Sequence, residues 1–176
     1  PRSAKMQKEL NLKVKFRESF RPFAPSVLSE DVSDWFDLKV PSPYMLLVAD
    51  VKKEIQVPMT SKEEALFGIE KLNVKRSKIP SVTHVDYSAR IQTVHQETNL
   101  RYYKLIKKFK EITNCPILVN TSFNIRGEPI VCSIKDAYRC FMGTNLDILT
   151  IGDFILFKDK QNLLLEKSYQ NQFKLD

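Results

Sequence analysis

Three segments concentrate side chains that hold anions and contain no obvious activated nucleophile. The first, Lys15-Phe16-Arg17-Glu18-Ser19-Phe20-Arg21-Pro22-Phe23-Ala24-Pro25, interleaves three cations with three aromatics. In an extended chain Lys15, Arg17 and Arg21 share parity and point to one face, with Phe16 and Phe20 anchoring the other. One cationic face suits a phosphorylated small molecule, because guanidinium forks meet phosphate oxygens two at a time. A solvated basic edge strand would show the same pattern.

The second segment runs from Thr83 to Val94. Asp86 and Ser88 are ordinary turn residues, and Arg90 opens a strand. An arginine at a strand mouth can clamp a phosphate or carboxylate, or simply pair with Asp86. His84 has the chemistry of a general base, but a lone histidine is more often a hydrogen-bonded structural residue. The third segment, Asn120-Thr121-Ser122-Phe123-Asn124-Ile125-Arg126-Gly127-Glu128-Pro129-Ile130-Val131, ends an apolar run in small polar side chains. Hydroxyl and amide groups beside exposed backbone N–H groups make an oxygen-binding cradle. No histidine is near in sequence to activate Ser122, which therefore reads as a ligand-binding hydroxyl. The alternative is a polar loop that satisfies its own backbone. There is neither a Walker loop nor a dinucleotide fingerprint.

The elements that must position these segments alternate between strand and helix. Ser3–Leu12 reads as a short helix, Phe23–Leu28 as a strand, and Ser29 as the N-cap of a helical turn carrying Trp35 and Phe36. Tyr44–Val51 is nearly all apolar and is expected to be a central strand covered on both faces. Residues 52–80 lose the pattern and are expected to be a surface excursion, with a helix over Thr60–Leu72. Arg90–His95 alternates as a strand. Asn99–Thr113 is a helix with Tyr102, Leu105, Phe109 and Ile112 on its apolar face. Pro116–Asn120 is a buried strand. Ser133 caps a helix ending at Gly143, with Asp136 in the capping-box position. Asp147–Ile151 and Phe154–Phe157 form a hairpin around Gly152-Asp153. The class is α/β or α+β with a mixed sheet.

Bulk properties bound the function. The 176 residues, 43% hydrophobic and 28% charged, suit one globular domain. No apolar run approaches the ~20 residues of a spanning helix. No secretory leader is visible, and the cysteines Cys115, Cys132 and Cys140 show neither metal spacing nor a disulfide framework, so a reducing cytoplasm is expected. His84 and His95 form no metal cluster either. The net charge of +7 implies an anionic partner: a phosphorylated small molecule, a nucleic acid or an acidic surface. The basic helix Arg101–Lys110 is compatible with RNA, but a solvated charged face is the commoner explanation.

Taken together, the stretches KFRESFRPFAPSVL, SPYMLL, THVDYSARIQTV, NTSFNIRGEPIV, DAYRCFMGT and DILTIGDFIL resemble the C-terminal domain of the nodulation-protein and antibiotic O-carbamoyltransferases. The resemblance implies a YrdC-like domain, a twisted mixed sheet flanked by helices and lining a cationic cavity, over residues 1–176. There carbamoyl phosphate and ATP, with Mg²⁺ expected to accompany it, yield carbamoyl adenylate. An N-terminal domain of the actin-like ATPase type, expected to lie outside this chain because it begins at Pro1, holds iron and the acceptor alcohol. By motif position, Lys15 and Arg21 correspond to carbamoyl phosphate and nucleotide phosphate contacts. Arg90 and Ser122 complete that pocket, with Arg17, Asn120 and Asn124 as neighbours. Lys15, Arg90 and Ser122 are the catalytic candidates, acting by positioning and charge. An upstream arginine-containing motif of the family falls before Pro1. Ser19 replaces a usual proline, and Tyr87-Ser88 replace a usual Gly-Thr. The alternative is an RNA-binding module of the same fold without catalysis. It would need stacking aromatics on the basic face, and the parity of Phe16 and Phe20 opposes that.

Overall fold

The computed structural model describes residues 1–162 and 169–173. The chain divides into two compact units, one of residues 1–7 and 22–121 and one of residues 8–21 and 122–176.

The first unit is built on a mixed four-stranded sheet ordered β2-β3-β1-β4, from β1 (Ala24–Leu28), β2 (Leu47–Asp50), β3 (Ser88–Val94) and β4 (Ile117–Asn120). β1 runs parallel to β3 and antiparallel to β4, and β2 runs antiparallel to β3. All five residues of β1 are buried, as expected for a strand paired on both sides. Val27, Ile91 and Ile117 are fully buried, as are Phe36, Ile79 and Val82 from the connections. Leu28 and Val94 pack with Tyr103 and Ile106 of the Leu100–Thr113 helix.

That helix starts where expected, because Asn99 Oδ1 accepts from Tyr102 N–H at 3.2 Å. It ends at Asn114, whose left-handed backbone (φ 54°) is one that asparagine tolerates. The packed face differs from the expected one. Tyr103 and Ile106 are buried, whereas Leu105 and Ile112 are exposed. The helix is rotated toward Lys110, whose ammonium pairs with the buried Asp31 at 2.6 Å. Spacing alone favours the row of larger apolar side chains and does not register that ion pair.

A second correction concerns Tyr44–Val51. The run forms an edge strand, not a central one: Leu47–Asp50 pairs with β3, and Val51 makes an isolated bridge with Phe36. Tyr44 is 79% and Leu46 81% exposed. Continuous hydrophobicity indicates a strand but does not identify its neighbours. The 52–80 excursion holds two short helices, Ser61–Glu64 and Gly68–Leu72, in place of the single one expected. Thr60 and Glu63 form a reciprocal capping box on the first. Gly68, at φ 58°, opens the second.

In the second unit, the helix Ile134–Gly143 carries the expected Ser133–Asp136 capping box. It buries Ala137, Phe141 and Met142 with Leu149. β5 (Ile148–Ile151) and β6 (Phe154–Phe157) form a hairpin whose two-residue turn places Gly152 at φ 58°. Ser3–Leu12 is helical only over Met6–Leu10 and continues as a π-helical turn over Asn11–Lys15.

Candidate functional site

The second unit contains a cleft of about 510 Å³ whose described lining is Lys15, Arg17 and Arg21, with Ser122 and residues 124–129. Residues from two of the three segments singled out in the sequence thus meet within one unit. They do so by a route the sequence does not suggest. Lys15 closes the π-helical turn, and Phe16 takes a left-handed conformation at φ 50°, so the extended strand with alternating faces is not formed. Phe16 packs instead with Ile125, Cys140 and Tyr169.

The buried side chain of Asn11 organises the loop beyond that turn. Its amide donates to the carbonyls of Ser19 at 3.1 Å and Arg21 at 2.8 Å, and its Oδ1 accepts from Arg17 Nε at 2.6 Å. Arg17 and Arg21 therefore line the cleft on a folded loop pinned by one amide. Glu18 forms ion pairs with Arg21 at 3.1 Å and Arg126 at 3.3 Å.

Lys15 is only 4% exposed. Its ammonium donates to Ser122 O at 2.6 Å, Asn124 O at 2.7 Å, Asn124 Oδ1 at 2.8 Å and Ser122 Oγ at 3.2 Å. Three protons face four acceptors, so the charge is fully engaged by the loop. Burial pushes Lys15 down to about 8, helped by the neighbouring Arg17 guanidinium and opposed by Glu128. Ser122 Oγ donates to Asn124 Oδ1 at 2.6 Å, and among the described residues no histidine is hydrogen-bonded to it. Burial also lowers the Arg17 guanidinium, with Arg21 adding repulsion.

The loop Ser122–Pro129 turns at Gly127, whose φ of 76° a side chain would resist. Glu128 holds it from inside. Its Oε2 accepts from Ile125 N–H at 2.8 Å, its Oε1 from the Tyr169 hydroxyl, and its carbonyl from Asn124 Nδ2 at 2.8 Å.

The first unit holds the other two named residues. Arg90 is exposed on β3 beside Val48, and among the described residues no hydrogen bond or ion pair engages its side chain. It does not pair with Asp86, which accepts from the Ser88 backbone at 3.0 Å and hydroxyl at 2.7 Å. His84 Nδ1 lies 2.9 Å from Ser88 Oγ, and burial lowers its pKa. Since Ser88 is buried and its hydroxyl is turned to Asp86, this trio stabilises a turn. Asn120 on β4 donates to Gln92 Oε1 at 2.6 Å, which also accepts from Ser26 at 2.6 Å.

Asn11, Arg126, Glu128 and Tyr169 do not stand out in the sequence. An asparagine in the helical pattern of residues 6–15 is the one available signal, since asparagine is a poor helix former. Among the described residues, no group of three or more His, Cys, Asp or Glu is gathered to hold a metal ion, and no helix is long and apolar enough to cross a membrane.

Comparison with known proteins agrees with the motifs. The family described as carbamoyltransferase C-terminus matches residues 1–158. An uncharacterized protein of Synechocystis sp. is 59% identical over 177 residues, covering all of this chain and 29% of the relative. Nodulation protein NolO of Bradyrhizobium diazoefficiens is 40% identical over 166 residues, 93% of this chain and 27% of its own. Nodulation protein U of Rhizobium tropici is 34% identical over 125 residues, 71% of this chain and 18% of its own. The chain thus spans less than a third of each of these relatives, and it belongs to the carbamoyltransferase C-terminal family.

Proposed function

We propose that this chain is the carbamoyl-activating, YrdC-like domain of an O-carbamoyltransferase: it binds carbamoyl phosphate, whose hydrolysis gives carbamate and phosphate, and ATP, whose α-phosphorus the carbamate oxygen attacks to give carbamoyl adenylate and release pyrophosphate. The observation that supports this reading is the placement of Lys15, Arg17 and Arg21 around the Ser122–Pro129 loop in one cleft. Cations and oriented hydroxyl and amide groups stabilise charge on phosphoryl and carbamoyl oxygens without themselves reacting. In this reading Arg21 and Arg17 bind phosphate oxygens. Lys15 supplies charge from behind the Ser122 and Asn124 acceptors. Ser122 exchanges its bond to Asn124 for one to the ligand. Arg90, exposed in the first unit, is a further anion contact, and Asn120 acts through its bond to Gln92.

Both Glu128 oxygens already accept hydrogen bonds. Glu128 is the one carboxylate in the described lining, and in this reading an ion accompanying ATP is carried by the phosphates. In the proposal the carbamoyl group passes to a hydroxyl of an acceptor alcohol held by an N-terminal, actin-like ATPase-type domain of the same polypeptide, where iron would reside.

Calorimetric titration of carbamoyl phosphate and ATP tests the reading. The Arg21 side chain is half exposed, so Arg21→Ala should fold normally. It should weaken carbamoyl phosphate binding by about tenfold or more, the loss of one charge-assisted contact. Arg90→Ala tests the first-unit contact separately. Affinity unchanged in Arg21→Ala would refute the cleft as the carbamoyl phosphate site.

A further inference from the structure

The family match ends at residue 158, yet a residue beyond it reaches the loop that lines the cleft. Tyr169 is buried with Ile125 and Cys140, and its ring meets Phe173 edge-on at 5.4 Å between centroids. Its place exists because position 143 is glycine. A Cβ at Gly143 would collide with the Tyr169 ring at several atoms.

The Tyr169 hydroxyl donates to Glu128 Oε1. The other Glu128 oxygen takes the Ile125 N–H, and the Glu128 carbonyl takes the Asn124 amide. Asn124 then supplies two of the four acceptors around Lys15. We infer that Tyr169 is a positioning residue: through Glu128 it fixes the Asn124–Glu128 turn in the geometry that encloses the Lys15 ammonium. Burial and the Glu128 hydrogen bond push the phenol far above its ordinary pKa, so it remains a donor across the working range. Burial likewise pushes the Cys140 thiol beside it up to about 12, so it stays neutral.

The inference deepens the proposed function, since it assigns how the cleft's lysine is held. Its test has one arm that needs no ligand. In Tyr169→Phe the ring keeps its packing and only the donor is lost. Lys15 is followed by NMR titration of its ¹³Cε signal in protein carrying ¹³C-labelled lysine, with the signal assigned by Lys15→Arg. Loosening the turn admits water to the ammonium, so its pKa should rise by about one unit toward the ordinary value. Carbamoyl phosphate binding should weaken by about tenfold. Gly143→Ala, which displaces the ring, should reproduce both effects. A Lys15 titration unchanged in Tyr169→Phe overturns the positioning role, even if the melting temperature falls. If the unmutated chain binds no carbamoyl phosphate, the functional reading fails, and the titration arm alone decides the role of Tyr169.

Discussion

Replacing Lys15 by methionine isolates the energetics of the buried ammonium. Methionine is of similar length and does not titrate, so the variant keeps most of the packing and loses the charge. In the native chain Lys15 sits at about 8, against an ordinary lysine value of 10.5. Between those values the unfolded chain binds more protons than the folded one, so the stability of the folded state rises with pH. The cost of keeping a charged lysine buried is present in full below pH 8 and disappears as pH approaches 10.5. From about pH 7 to about pH 10 the unmutated chain should therefore gain on the order of 2 kcal/mol relative to Lys15→Met. The acceptors left unsatisfied in the variant, Ser122 and Asn124, add an offset that does not change over this range, because neither side chain titrates. Urea denaturation of both proteins at half-unit pH intervals, monitored by circular dichroism, measures the difference directly. All other titrating groups are common to both chains and cancel. A difference that stays flat across this pH range would show that the ammonium is not desolvated and would refute the argument.

The same geometry sets two further outcomes. Ligand binding and Lys15 protonation should be linked: carbamoyl phosphate should bind with uptake of a proton at about pH 8.5, seen as heats that vary with buffer ionisation enthalpy, and this uptake should vanish in Lys15→Met. Ser133→Ala should cost about 1 kcal/mol by urea denaturation, because the Ser133 hydroxyl accepts from Asp136 N–H at 3.1 Å at the start of the Ile134–Gly143 helix.

Local features are legible in the sequence. The Ser133–Asp136 capping box, the turn at Gly152-Asp153 and the limits of the Leu100–Thr113 helix each depend on residues within a few positions of one another. Sheet order and facing are harder. Tyr44–Val51 reads as a core strand because composition reports hydrophobicity, whereas position in the sheet depends on β3, which is remote in sequence. The helix face escapes for a related reason. The Lys110–Asp31 pair spans 79 positions and favours a rotation that the apolar row alone does not reveal.

The cleft gathers residues singled out by their chemistry, but through a local geometry that parity does not give. Side-chain chemistry points to Lys15, Arg17, Arg21, Ser122 and Asn124, and all five stand in the described lining of one cleft. The path of the chain between them is not deducible from parity, because no strand exists there. A π-helical turn, a left-handed Phe16 and one buried asparagine do the positioning instead. The contacts that complete the arrangement, from Lys15 to Ser122 and Asn124, span 107 and 109 positions. That distance also explains why Lys15 reads as an outward-facing cation. A lysine beside arginines suggests a basic surface, but four carbonyl and side-chain oxygens from a distant loop convert it into a buried charge. The loop needs that charge as much as the charge needs the loop. Without it, the carbonyls of Ser122 and Asn124 would lose the donor they share, a cost of about 1–3 kcal/mol for each one left without water.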